Sequence, residues 1–253
     1  MAVESLMTAE EFQSSYRMIM SEGVFFFVSI VVGGIGLMIL TKKDLERQEQ
    51  IRLFFGNFAH DLKTSISRLR LQSDLLRDGF DQQTLNRLGE NMNQLDLQLE
   101  NSLWVARGET QVMHLQNVKI SKIFSVIRSE WPEIEISMTS DATVYADELA
   151  LRSVFRNLIQ NAVIHGKATK VQLVVKEVAS HYEIQFQANG EAFTGELEQL
   201  GQRFIQPKSS HGNGLGLYLT RFLVDKLSGQ IQFKLGQNSQ LMVLVILPKG
   251  KGV

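Results

Sequence analysis

The sequence predicts an α+β protein with an N-terminal transmembrane helix, a helical hairpin suited to a dimeric four-helix bundle, and an α/β sandwich. Three observations predict this order. An uncharged apolar run lies near the N-terminus, two long stretches of helical periodicity follow it, and short alternating runs with two further helices fill the second half. A chain of 253 residues with a hydrophobic share of 44% can bury a core in such a sandwich.

The apolar run covers residues 24–40 and contains one polar residue, Ser29. As a helix it is roughly 25 Å long, which is near the short end of a bilayer span. A buried core helix rarely lacks a polar face over this length. A signal peptide fits poorly, because four glutamates lie among the 23 residues before the run. The run therefore favours a membrane-spanning helix in contact with lipid.

The charges beside the run predict its orientation. Lys42, Lys43 and Arg47 follow it, whereas Arg17 is the only basic residue before it. The positive-inside rule then places residues 1–23 outside, 24–41 across the membrane in a single pass, and 42–253 in the cytoplasm. With so short an outer segment, we expect input through the membrane helix, a partner protein or the cytoplasmic side.

The next stretch, residues 42–108, has the pattern of a helical hairpin. Helical periodicity runs over about 42–77 and again over 83–106, and Asp78-Gly79-Phe80-Asp81 separates the two. A lone hairpin leaves part of its apolar stripe uncovered, so we expect a homodimer with a four-helix bundle.

Residues 109–253 are expected to form the sandwich. Alternating runs predict strands over 114–120, 133–137, 171–178, 182–186, 231–234 and 241–247. Helices are predicted over 147–165, with Asp147 as N-cap, and over 215–228. The net charge of −1 and the lack of a basic tail argue against a nucleic-acid partner. The absence of cysteine excludes disulfides, thiolate zinc sites and cysteine nucleophiles.

Three groups of residues have the composition of a phosphoryl-transfer site. His60 lies at the edge of the first hairpin helix, with Asp61 beside it to polarise the ring and Thr64 one turn later. Asn157 and Asn161 share one helix face, where amides can ligate hydrated Mg²⁺ and contact phosphate. The Gly212-Asn213-Gly214-Leu215-Gly216-Leu217 segment precedes a helix, whose N-terminus favours anions.

In this order the three groups resemble the H, N and G2 boxes of two-component sensor histidine kinases, and the resemblance covers residues from about 45 to 248. It implies a phosphotransfer hairpin and an ATP-binding domain of the gyrase–Hsp90–kinase–MutL type in a bacterial inner membrane. It also implies ATP and Mg²⁺ as cofactors and a response regulator receiver domain as partner. His60 would then be the phosphoacceptor, Asp61 its acid–base partner, and Thr64 would position water for dephosphorylation. The implied nucleotide contacts are Asn157, Asn161 (also the Mg²⁺ ligand), His165, Gly190, Phe204 in an F-box-like segment, Gly212, Gly214, Leu215 and Gly216.

Two departures from the family pattern bear on activity. Ala188 stands where the G1 box has the aspartate that reads adenine, and Ala192 replaces its second glycine. Losing such a contact costs on the order of 1–3 kcal/mol, or about 5- to 150-fold in affinity. Ser65 also replaces a helix-kinking proline, which predicts a straighter helix near His60.

Three functions follow as hypotheses. The leading one is a protein-histidine kinase that also dephosphorylates its response regulator. The second is a degenerate member with weak or no use of ATP, acting as a phosphatase, a phosphotransfer relay or a regulatory dimer partner. The third is a structural membrane-anchored coiled coil with an unrelated α+β domain, which would leave the three motifs unexplained.

Overall fold

The computed structural model describes residues 9–79, 81–108, 111–202 and 215–250. The chain forms two compact units, Met1–Leu53 and Phe54–Val253. Helix α1 spans Ala9–Asp78, so the predicted membrane run and the first hairpin helix both belong to it.

In the first unit, the segment Tyr16–Glu46 is long and apolar enough to cross a membrane. It has 31 residues, its most apolar 18-residue window has a mean hydropathy of 2.5, and none of that window is buried in the protein. Ser29, the one polar residue of the apolar run 24–40, donates its hydroxyl hydrogen to the Phe25 carbonyl at 2.8 Å. A helix whose apolar side chains are exposed on all sides requires lipid or other protein around it.

In the second unit, the end of α1 and helix α2 (Gln82–Arg107) form the predicted antiparallel hairpin. Asp81 caps α2 by accepting from the backbone N–H groups of Gln83 at 3.2 Å and Thr84 at 2.9 Å. Two contacts define the register, since Gln72 accepts from Asn91 at 3.0 Å and the Ser65 hydroxyl donates to Gln98 at 3.5 Å.

The remainder of the second unit is the predicted sandwich. Its elements are β1 (Gln116–Lys119), α3 (Ile120–Glu130), β2 (Glu135–Met138), β3 (Thr143–Ala146), α4 (Glu148–Ile164), β4 (Lys170–Glu177), β5 (His181–Ala188), α5 (Leu215–Lys226), β6 (Gln230–Leu235) and β7 (Leu241–Pro248). Strands β1 and β3 pair with each other, and the main sheet has the order β2-β4-β5-β7-β6. Only the pairing of β2 with β4 is parallel among the described strands.

Three elements differ from the sequence expectation. Helix α3 and strand β3 were not predicted, and the strand expected over 114–120 ends at Lys119 because Ile120 begins α3. The buried residues of α3 are Ile120, Ile123, Phe124 and Ile127, and their spacing by three and four is helical. Its apolar face packs on α4, where the rings of Phe124 and Phe155 lie 4.9 Å apart.

Candidate functional site

The two amides predicted to bind phosphate and metal lie one turn apart on α4. Asp147 begins this helix by accepting from the backbone N–H groups of Leu149 and Ala150, both at 3.0 Å. Asn157 is fully buried, whereas Asn161 is half-buried. Asn161 donates from Nδ2 to the Asn157 carbonyl at 2.9 Å, so its amide oxygen is the atom of this side chain that is suited to a cation.

The structure brings a glycine of the G2-like segment against these amides. Gly216 lies in the first turn of α5, after the buried Leu215. A Cβ atom at Gly216 would come within 2.9 Å of Asn157 Oδ1 and 3.6 Å of Asn161 Nδ2. Only a residue without a side chain allows this approach, so Gly216 and both amides form one cluster.

Gly190 lies at the far end of α4. The backbone N–H of Glu191 donates to the Gly166 carbonyl at 2.6 Å. A Cβ atom at Gly190 would be 2.2 Å from that same carbonyl oxygen, which requires glycine there. His165, the C-cap of α4, is exposed beside this turn. Gly190 and His165 therefore lie at one end of α4, and Asn157 lies nearer its middle.

Ala188 ends β5 opposite Val171 of β4 and packs against the core. The next residue, Asn189, accepts at Oδ1 from the backbone N–H groups of Thr169 at 3.0 Å and Lys170 at 2.8 Å. The Asn189 amide oxygen is thus bonded to the backbone at the start of β4. Neither residue offers a carboxylate to a bound base.

The predicted site residues of the hairpin, and those of the F-box-like and G2-like segments, are less completely described. His60 and Asp61 lie within α1, but their side chains are outside the described part of the structure. Thr64 is half-buried on the same helix, and Ser65, in place of the family's proline, hydrogen-bonds to α2. Phe204, Gly212 and Gly214 lie outside the described residues.

Sequence reasoning missed the contact that helix α2 makes with the amide face of α4. Asn101 and Asn157 exchange two side-chain hydrogen bonds of 2.8 and 3.0 Å. One turn along α2, Trp104 Nε1 donates to Ser153 Oγ at 3.0 Å. The available signal was the spacing of Leu97, Asn101 and Trp104 by four and three residues, which marks one helix face.

A buried arginine reinforces this contact. Arg156 of α4 is 3% exposed and pairs with Asp96 at 2.9 Å, with Glu100, and with Glu130 of α3 at 2.7 Å. Burial raises the pKa of Glu130, and the positive charges of Arg156 and Arg152 oppose that rise only in part. The sequence signal was Arg156 itself, a charge on the apolar face of α4 that requires acidic partners.

The cluster fits a magnesium nucleotide in part. Mg²⁺ prefers oxygen ligands and keeps phosphates and waters in its shell, so the amide oxygen of Asn161 suits it. The start of α5 beside Gly216 offers backbone N–H groups to phosphate. Asn157, fully buried and bonded to Asn101, is inaccessible to a ligand in this arrangement. Ala188 offers no acceptor to an adenine amino group.

Comparisons with known proteins match this architecture. Residues 146–251 match the family described as histidine kinase-, DNA gyrase B-, and HSP90-like ATPase. The chain is 22% identical over 209 residues to the signal transduction histidine-protein kinase BaeS of Escherichia coli, covering 74% of this chain and 44% of BaeS. It is 24% identical over 199 residues to the sensor histidine kinase GtrS of Pseudomonas aeruginosa, covering 77% of this chain and 41% of GtrS.

A solved structure of the Acinetobacter baumannii histidine kinase AdeS has the same fold, with a TM-score of 0.53 at 19% identity over 76% of this chain and 98% of that chain. The chain spans less than half the length of BaeS and GtrS. Residues 146–251 thus match an ATPase domain of this type, and over about three quarters of its length the chain is similar in sequence to two-component sensor histidine kinases.

Proposed function

We propose that the chain is a protein-histidine kinase that uses ATP and Mg²⁺ to phosphorylate His60 and passes the phosphoryl group to the receiver domain of a response regulator. One observation supports this above the others. The hairpin pairs Gln72 with Asn91, and it pairs Ser65, seven residues earlier on α1, with Gln98, seven residues later on α2. Continued by seven more residues, this register brings the turn that carries His60 level with the end of α2, where α4 packs.

In this proposal the chain's own residues position the reacting groups. The imidazole of His60 supplies the nucleophilic nitrogen, and the carboxylate of Asp61 polarises the ring. Asn161 would hold the metal, and the backbone N–H groups at the start of α5, beside Gly216, would bind phosphate. When bound, the magnesium nucleotide supplies the phosphoryl group and charge neutralisation. Thr64 positions water for the phosphatase reaction on the regulator.

We further propose that the chain works as a homodimer anchored in the inner membrane. Helix α2 has one face on α1 and one on α4, and a third face carries exposed apolar side chains: Leu85, Met92, Leu99 and Leu103. Their spacing of seven, seven and four residues suits a helix bundle with a second copy. The proposed boundaries are those expected from the sequence: a spanning helix at 24–41, a hairpin at 42–108 and an ATP-binding domain at 109–253, with the N-terminus outside.

A degenerate member that uses ATP poorly is the second candidate. It is favoured by Ala188, which offers no acceptor to the base, and by the engagement of Asn157 with Asn101. Such a protein would still dephosphorylate a regulator or relay phosphoryl groups through His60.

Labelling of the full-length chain in detergent micelles with γ-labelled ATP and Mg²⁺ separates the two candidates. A kinase gives acid-labile label that is lost in His60→Ala and Asn161→Ala and retained in His181→Ala, a control at the start of β5. Ala188→Asp is expected to tighten ATP binding by about 5- to 150-fold. Unlabelled wild type that still dephosphorylates a phosphorylated receiver domain identifies the degenerate member.

A further inference from the structure

The side chain of Asn157 is fully occupied by protein groups. One hydrogen on its Nδ2 goes to Asn101 Oδ1 at 3.0 Å and the other to the Ser153 carbonyl at 2.9 Å. Its Oδ1 accepts from Asn101 Nδ2 at 2.8 Å, with Gly216 closing in from α5. Asn157 is 0% exposed and Asn101 is 5% exposed. The amide has no donor left for a phosphate oxygen while Asn101 is in place.

The rest of the contact between α2 and α4 is largely polar. Glu100 of α2 accepts from both Ser153 and Arg156, and Asp96 pairs with Arg156 at 2.9 Å. The buried apolar residues that α2 contributes are Leu97 and Trp104. Water can replace hydrogen bonds and ion pairs when such a contact opens, and polar contacts between domains of one chain commonly permit motion.

We propose that the docking of α2 on α4 is a latch in which Asn101 competes with a nucleotide phosphate for the Asn157 amide. The inference rests on the proposed function and on the phosphate contact that the family resemblance implies for Asn157. Because one amide cannot serve both partners, nucleotide binding and α2 docking oppose each other, and the coupling acts equally in both directions. A change transmitted along the hairpin would then alter nucleotide affinity without touching the base or the metal ligand.

The alternative is that Asn157 is purely structural and that Asn101 only fastens the hairpin to the sandwich. In that case removal of the Asn101 amide weakens folding and leaves nucleotide affinity unchanged. The latch and the purely structural role therefore predict different effects of Asn101 substitution on the affinity for MgATP.

Trp104 reports on the latch directly. The chain has two tryptophans, so Trp131→Phe leaves Trp104 as the only one. Trp104 is 6% exposed at the docked contact, and its emission will shift to longer wavelength when α2 leaves α4. The full-length chain in micelles is titrated with MgATP, and affinity is measured in parallel by equilibrium dialysis.

We expect Asn101→Ala to bind MgATP at least fivefold more tightly than the parent, in the range of common allosteric couplings. We also expect saturating MgATP to red-shift Trp104 in the parent. If Asn101→Ala folds poorly, Glu100→Gln takes its place. This variant weakens the pairing with Arg156, leaves both amides intact and should also tighten MgATP binding. Asn91→Ala is the matched control, because this amide of α2 contacts Gln72 of α1. Asn91→Ala should change neither the MgATP affinity nor the shift in Trp104 emission.

Equal MgATP affinity in the parent, Asn101→Ala and Glu100→Gln overturns the latch and leaves the proposed kinase standing. An unchanged Trp104 emission at saturating MgATP does the same. Absence of MgATP binding in every variant overturns the proposed function together with the latch. Tighter binding in Asn101→Ala without labelling of His60 supports the latch and identifies the degenerate member.

Discussion

Among single residues, Asp147 accepts three hydrogen bonds from backbone N–H groups near the site. Its carboxylate caps α4 and also accepts from the backbone N–H of His114 at 2.8 Å through its second oxygen. The side chain is buried, with 5% exposed, and it joins the segment before β1 to the helix that carries both amides. It therefore helps to order the site.

We expect Asp147→Ala to lower the free energy of unfolding by about 2–4 kcal/mol, from the lost cap and the orphaned N–H of His114. Asp147→Asn keeps one cap oxygen and loses only the acceptor for His114, so about 1 kcal/mol is expected. Guanidinium unfolding of the full-length chain in micelles measures both. Equal losses in the two variants would contradict this division of roles.

At the scale of elements, the packing of α2 and α3 on α4 depends on one buried charge. Arg156 is the common partner of Asp96, Glu100 and Glu130, which lie on two different helices. The carboxylates of Glu100 and Glu130 are 18% and 19% exposed, so they depend on this guanidinium for compensation.

Arg156→Met preserves much of the volume and removes the charge, and we expect a loss of about 3–5 kcal/mol in the free energy of unfolding. The control is Lys170→Met, which breaks an exposed pair with Glu135 and should cost less than about 1 kcal/mol. Chemical unfolding monitored by circular dichroism compares them. A loss below about 1 kcal/mol in Arg156→Met would show that the cluster is not stabilising.

The same elements show where sequence periodicity works. Helix α2 and the alternating strands β4, β5 and β7 were predicted within a few residues, because their burial follows a regular period. Strand β3 and helix α3 were missed, since four and eleven residues give few repeats of any period.

For the whole molecule, burial of Glu130 makes stability depend on pH. Because burial raises its pKa above 4.5, with Arg156 and Arg152 opposing, the folded chain keeps this proton to higher pH than the unfolded chain. The free energy of unfolding therefore falls as the pH rises from 4.5 through the raised pKa.

Glu130→Gln should remove that part of the slope, whereas Glu135→Gln, at a side chain 65% exposed, should leave it unchanged. Urea unfolding between about pH 4 and 8 measures the slope for each variant. Identical slopes in wild type and Glu130→Gln would show that burial of this carboxyl does not influence stability.

The membrane segment predicts a second property of the whole chain. Val31 lies at the centre of Tyr16–Glu46, so Val31→Asp should oppose insertion by about 2.5–3.5 kcal/mol. Val112→Asp, at a position 71% exposed in the second unit, is the matched control. The fraction of chain that resists alkaline extraction from membranes is the measurement, and equal resistance in both variants would contradict a spanning role for this segment.

The sequence by itself determined the properties that depend on neighbours along the chain. The apolar run, the hairpin, the alternating strands, the Asp147 cap and the three motifs can all be recognised from local spacing. The absence of an acidic residue at Ala188 is likewise visible without a structure. Local sequence carries these features because helices and strands repeat every few residues.

Tertiary structure decided which of these residues meet. Asn157 and Asn101 are 56 positions apart, and Arg156 lies 60 positions from Asp96. No local period connects residues so distant, since their contact depends on how helix α2 packs on helix α4. Packing therefore decided that Asn161 offers an open amide oxygen while Asn157, one turn away, is buried and already bonded.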